Sequence, residues 1–144
     1  MKWWQLYYAI KDGWELQKQK GFEKFGYEVF ITSSWFLEKD IYRYPLADRI
    51  ALWGRAVAKL LTHKDTSYLN RTRQELNLFY ERLQPLLKGG GRGSSPQNIE
   101  FIHAFLVKTF NGDVEKVYNL SLWEVAEILN ATHQLLKLQK ENKK

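Results

Sequence analysis

The side chains best suited to acid–base or metal chemistry near neutral pH are the three histidines, His63, His103 and His133. They lie far apart in the chain, on separate predicted helices, and none belongs to an HExxH pair, so their spacing builds no metal site. His63, next to Lys64 and Asp65, reads as a residue that ends a helix. Carboxylates come in loose pairs, Glu124 with Glu127 and Glu38 with Asp40, of the kind that decorates a solvated helix face or a cap. The glycine run Gly89-Gly90-Gly91-Arg92-Gly93-Ser94-Ser95 lacks the Gly-Lys-Ser/Thr ending of a phosphate loop and follows a helix rather than a strand. With no cysteine in the chain, thiolate ligands and disulfides are excluded. These residues predict no catalytic site, no metal and no cofactor.

Basic and aromatic side chains make a stronger pattern. Arg43, Arg49, Arg55, Arg71, Arg73 and Arg82 fall in one stretch, and arginine's planar fork suits phosphate oxygens. Of 22 aromatic residues, 13 lie between Trp3 and Tyr44. Rings that large must be covered by this chain or by a partner. Trp3, Trp4, Trp14 and Trp123 are therefore the expected partner-binding residues, since tryptophan is enriched among interface hot spots. Exposed Trp3, Trp4, Tyr7 or Tyr8 would also stack on unpaired bases, with the six arginines on the backbone phosphates. Against that reading, Asp48, Glu75 and Glu81 interrupt the basic stretch.

Composition is that of an ordinary globular protein, with 44% hydrophobic and 26% charged residues in 144. The net charge of +6 sits wholly in residues 1–95, while residues 96–144 balance at zero with lysines crowded at the end. No stretch has the length of a membrane span, and the apolar N-terminus is too short for a signal-peptide core. The Asn-x-Ser/Thr triplets at Asn70, Asn119 and Asn130 read as chance matches. A cytoplasmic protein without membrane contact is expected.

The elements that position these residues are mainly helical. Ser95-Pro96 starts a helix along Ile99, Ile102, Leu106 and Phe110, with Phe101 and Phe105 widening its apolar face, and Asn111-Gly112 stops it. Ser121 and Glu124 form a capping box for a long helix with Leu122, Val125, Ala126, Leu129, His133 and Leu136 on one stripe. Residues 46–88 read as a helical hairpin, closed or kinked near Pro85. The first 44 residues read as a long helix in phase from Trp3 to Phe25, then a shorter helix or irregular segment around 27–42. Asp12-Gly13 is a turn signal, and Tyr27–Thr32 has strand-like content, so a small hairpin is the structural alternative. The expected architecture is a bundle of four to six helices. It divides into an aromatic-rich basic lobe at 1–88, a Gly/Ser linker at 89–95 and a helical lobe at 96–144, all in one domain.

Within residues 99–140, the order Lys108-Thr109-Phe110-Asn111-Gly112, Asp113-Val114-Glu115-Lys116-Val117 and Asn119-Leu120-Ser121-Leu122-Trp123-Glu124-Val125 resembles the short helical tail-assembly chaperones of tailed phages. The resemblance implies a non-enzymatic protein that engages a partner through helical surfaces during assembly, and it brings no functional residue with it. This chain differs in its basic charge and its aromatic N-terminus. The expected function is binding and assembly, as a small structural or adaptor subunit with a protein partner. A nucleic-acid-binding subunit of a ribonucleoprotein complex is the alternative.

Overall fold

A helix that is apolar on every side has to be surrounded by protein. Trp3 through Ile10 are buried without a break. They belong to α1 (Trp3–Leu16), the central element of a computed structural model that describes residues 1–37, 40–63, 66–87 and 96–142, the side chains of 84–87, 96–98 and 140–142 excepted. Around α1 pack α2 (Tyr27–Ser33), α3 (Leu46–Thr62), α5 (Pro96–Thr109) and α6 (Val114–Tyr118). The long helices α4 (Ser67–Leu87) and α7 (Leu122–Asn142) form a closely packed pair beside this centre. Two 3-10 turns, Ser34–Phe36 and Ile41–Arg43, connect α2 to α3. Among the described residues the regular secondary structure is all helical apart from one bridge. Trp3 N–H donates to the Leu120 carbonyl at 2.7 Å and Leu122 N–H to the Met1 carbonyl at 3.0 Å, which ties the start of α1 to the start of α7.

The mainly helical class is as expected, with seven α-helices among the described residues where segment lengths suggested four to six. The count is raised by two short elements, each under two turns: α2, where the sequence leaves a shorter helix or an irregular segment open, and α6, where it leaves a short turn or helix open. Helices that short present too little of an amphipathic period to be told from loop. Tyr27–Thr32, with its strand-like content, is helical in α2, and no hairpin forms among the described residues of the first 44. Phe30, Ile31, Thr32 and Ser33 are buried there, so tertiary packing overrides the weak local preference.

The turn signal at Asp12-Gly13 is the clearest reversal, because both residues lie inside α1. Gly13 is where α2 comes closest: a Cβ at this position would lie 3.0 Å from Phe30 Cδ2. Asp12 is fully buried and bonded from α3, as described below. The continuous helix expected as far as Phe25 ends instead at Leu16, and the chain turns back through Gly21, at φ +94°. Gln17 Nε2 donates to the Phe25 carbonyl at 2.9 Å and closes the loop.

The helical hairpin expected over 46–88 does not form as a packed pair. The segment from α2 through Phe36 lies between α3 and α4 and makes the contacts that a hairpin would have made internally. Phe36 packs on His63 and Tyr68 at the corner between the two helices. Trp35 reaches α4 with its indole N–H, which donates to the buried Thr72 hydroxyl at 3.0 Å. α4 itself runs on past Pro85 to Leu87.

Local signals are sharper in the second half. Asn111, at φ 57°, is the left-handed residue after α5; its N–H donates to the Lys108 carbonyl at 3.2 Å, and Gly112 N–H donates to the Val107 carbonyl at 2.8 Å. That pair of bonds is a Schellman stop. At α7, Glu124 N–H donates to Ser121 Oγ at 3.1 Å and Ser121 N–H to Glu124 Oε1 at 3.2 Å, the expected capping box. One hydrophobic cluster joins Trp3, Tyr7 and Trp53 to Ile99, Leu106, Val117 and Val125. The Gly/Ser linker at 89–95, the Ser95 cap and the residues Glu38, Lys64 and Asp65 lie outside the described residues. No helix among those described is long and apolar enough to cross a membrane.

Candidate functional site

Two groups of polar side chains sit in or beside the core. In the first, α1 meets α5 and α6 through rings. Tyr7, His103 and Tyr118 lie close together, His103 being stacked on Tyr7 at 4.2 Å and on Tyr118 at 5.0 Å between ring centres, and Tyr42 stacks on Tyr118 at 4.6 Å. Trp3 Nε1–H donates to His103 Nδ1 at 3.1 Å, which requires the neutral imidazole. Burial pushes the His103 pKa down to about 4, against the attraction of Glu100 and with some help from Lys11. Tyr7 donates to Glu100 at 3.0 Å, and the Tyr8 and Tyr118 hydroxyls share a hydrogen bond of 2.9 Å. Burial, reinforced by these bonds, raises the pKa of both Tyr7 and Tyr8 and keeps them protonated. The group is thereby committed to its own internal bonds, as glue between α1, α5 and α6.

The second group is an ion pair between α1 and α3. Arg49 Nε and Nη2 donate to the two oxygens of Asp12 at 2.8 and 3.0 Å, Trp53 Nε1–H adds a third bond at 3.0 Å, and Arg49 Nη1 donates to the Tyr44 carbonyl at 2.9 Å. The guanidinium also lies over the Tyr8 ring at 4.9 Å. Burial works against the Arg49 charge, but the hydrogen bonds and negative charge of Asp12, with smaller contributions from Tyr8 and Tyr118, together outweigh it and hold its pKa above the ordinary arginine value. A buried pair satisfied this fully is structural.

The expected site residues divide accordingly. Trp3 and Trp4, 0% and 6% exposed, are core, as are Tyr7 and Tyr8, so none of them presents a face to a partner or a base. Trp14 and Trp123 are each 48% exposed and are the two of the four tryptophans that face outward. Four of the six arginines are engaged with carboxylates: Arg49 with Asp12, Arg43 with Glu115, Arg73 with Glu28 and Arg82 with Glu127. Arg71 stacks on Trp35 at 4.2 Å, and Arg55 is exposed on α3. The six do not converge on one surface. Among the described residues no group of three His, Asp or Glu side chains is placed to hold a metal ion.

What the structure adds is a partly exposed apolar face on α4 and α7. These helices run side by side in the same sense: Leu78 and Phe79 share a cleft with Leu122 and Trp123, and Arg82 lies further along, beside Glu127 and Asn130. The cleft holds about 110 Å³ and is mostly apolar, with Glu75 on its wall paired to the terminal ammonium of Met1. Arg82 lies over the Trp123 ring at 4.9 Å and bonds Glu127 at 3.1 Å, holding the indole at the rim. Leu78, 55% exposed, stands beside it. Leu78 carried no signal of its own in the sequence, because α4 periodicity cannot say which apolar residue lies off the buried face.

Further along α7 the apolar stripe outlives its cover. Leu122, Val125 and Ala126 are buried and Leu129 partly so, but Leu135, Leu136 and Leu138 are all more than half exposed. Phe101, expected to widen the core face of α5, also points outward, at 76% exposure.

No protein-family model matches this chain, and comparisons with curated proteins and with solved structures likewise return no match.

Proposed function

We propose that this chain is a non-enzymatic binding and assembly protein, a small structural or adaptor subunit of a larger complex, and that the α4–α7 face around Trp123 is its contact surface. The observation that carries this reading is Trp123 itself, half exposed beside Leu78 at the rim of an apolar cleft. A rigid indole next to a pocket that accepts one apolar side chain is the usual anatomy of an interface hot spot. The likeness of residues 99–140 to phage tail-assembly chaperones points the same way, towards assembly work in a phage tail.

The test compares the wild type with a Trp123→Ser, Leu78→Ser double variant, and with Trp14→Ser as a control, in cross-linking mass spectrometry on extracts of the source cells. The double variant is expected to lose specific cross-linked proteins that the wild type and Trp14→Ser retain, with unchanged far-ultraviolet circular dichroism. If all three capture the same set, Trp123 is not at the contact surface. The competing reading, a nucleic-acid-binding subunit, is left with Arg55, Arg71 and the C-terminal lysines once the other four arginines are paired. Backbone-phosphate binding falls steeply with salt, so an absence of binding to single- or double-stranded nucleic acid at low salt removes it.

A further inference from the structure

Two apolar surfaces on α7 are left without cover by the described residues, and their charges are opposite. At the start of the helix, the cleft and Trp123 are accompanied by Glu75, Glu81, Glu124 and Glu127, against Arg82, which pairs with Glu127, and the terminal ammonium of Met1, which pairs with Glu75, so that carboxylates remain in excess. Towards its end, Leu135, Leu136 and Leu138 stand more than half exposed around the exposed Lys137, and residues 132–144 hold four lysines and one glutamate. We infer that the occupant of the Trp123 cleft is the leucine–lysine end of α7 from a second copy of this chain. The inference rests on the reading of the Trp123 face as a contact surface, and it names the partner.

Three physical points carry it. The first is complementarity: an apolar, basic helix end meets an apolar cleft whose surroundings keep Glu81 and Glu124 in excess of the paired cations, so Coulomb attraction and apolar burial act together. The second is rigidity. Trp123 and Leu136 lie on one continuous helix, about 20 Å apart at 1.5 Å per residue, so the end of α7 cannot fold back onto its own cleft. Any contact between the two is therefore between molecules. The third is register. Arg82 lies beside Glu127 and Asn130, and continuing that match sets Leu87, where α4 ends, close to Gln134. α7 runs about 12 Å further, and this projecting part carries the three leucines. Because the two surfaces differ, the contact is tail to cleft. It closes as a dimer if two copies exchange tails, and continues as a chain of subunits if they do not.

The experiment is sedimentation equilibrium on the whole protein, over a wide concentration range and at two salt concentrations. The wild type is expected to associate, and to do so less well at high salt as the charges are screened. A cleft variant, Trp123→Ser, and a tail variant, Leu135→Glu with Leu138→Glu, should each weaken association by at least about tenfold. All three positions are exposed, so the fold should be retained, with circular dichroism as the check. The decisive arm mixes the two variants: the intact tail of one meets the intact cleft of the other, and a complex of two copies forms again. A wild type that stays monomeric at every concentration overturns the inference, as does a mixture that fails to complement. Loss in the tail variant with none in Trp123→Ser would mean that tails pair with each other, and also overturns it. If the wild type is monomeric but Trp123→Ser still loses its cross-linked proteins in extracts, the contact surface stands and only its occupant is wrong.

Discussion

Helices α1 and α7 begin side by side, joined by the bridge between Lys2 and Ser121, and each opens with tryptophan in its first turn. Trp3 is fully buried and bonded to His103, whereas Trp123 is 48% exposed and covered on one side by Arg82. The difference lies in the neighbours. The first two turns of α1 have helices on all sides, and the polar groups along its buried face are absorbed by Asp12–Arg49 and by the tyrosine–histidine group. α7 has α4 on one flank and the core on another, and its last turns run beyond both. Similar apolar content thus does opposite work: in α1 it makes a centre, and in α7 it leaves surface to be covered.

The largest expected effect comes from making the same cut in both helices. Trp3→Ala should cost about 3–5 kcal/mol of unfolding free energy, through the lost ring and the stranded His103 acceptor. Trp123→Ala should stay within about 0.5 kcal/mol, as surface substitutions do. Urea denaturation of the two variants measures the contrast, and equal losses would break it. Arg49→Ala, which leaves the Asp12 carboxylate buried without its main partner, should cost about 3–5 kcal/mol by the same measurement. Gly13→Val should cost about 1–3 kcal/mol, because its side chain has to displace Phe30 at the closest approach of α1 and α2.

The sign of the smallest effect follows from His103. Its folded pKa lies below the unfolded value, so the unfolded chain takes up the proton first as pH falls. Stability should therefore drop between pH 6.5 and about 4 and level off in this contribution below that. Thermal midpoints across this range should fall less in His103→Gln than in the wild type. An equal fall in both would mean that the imidazole is not held neutral against Trp3.

These contrasts also mark how far the amino-acid sequence could be read. Caps and stops involve residues three to five apart, so Ser121 with Glu124 and Asn111-Gly112 were legible. Asp12-Gly13 was not: the partners that make it helical, Arg49, Trp53 and Phe30, arrive from α3 and α2, and local statistics carry no trace of them. The same limit applies to the pairing of α3 with α4. Periodicity gives each helix an apolar face but not the identity of the element it meets, and Trp35 and Phe36 occupy the space between them. At the candidate site, the tryptophans were visible as residue types. Their sorting into core and surface depended on how many helices stand around each one. The arginines were visible as charge, and their carboxylate partners, drawn from four other segments of the chain, were not.

The central claim, that the rings in the first two turns of α1 face inward and the Trp123 end of α7 faces outward, is tested most directly by fluorine NMR. The protein is labelled with fluorotryptophan, its six signals are assigned by single Trp→Phe variants, and a soluble paramagnetic agent is added. Trp14 and Trp123 should relax strongly, with Trp3, Trp4 and Trp53 nearly silent. Relaxation of Trp3 as strong as that of Trp123 would contradict the account.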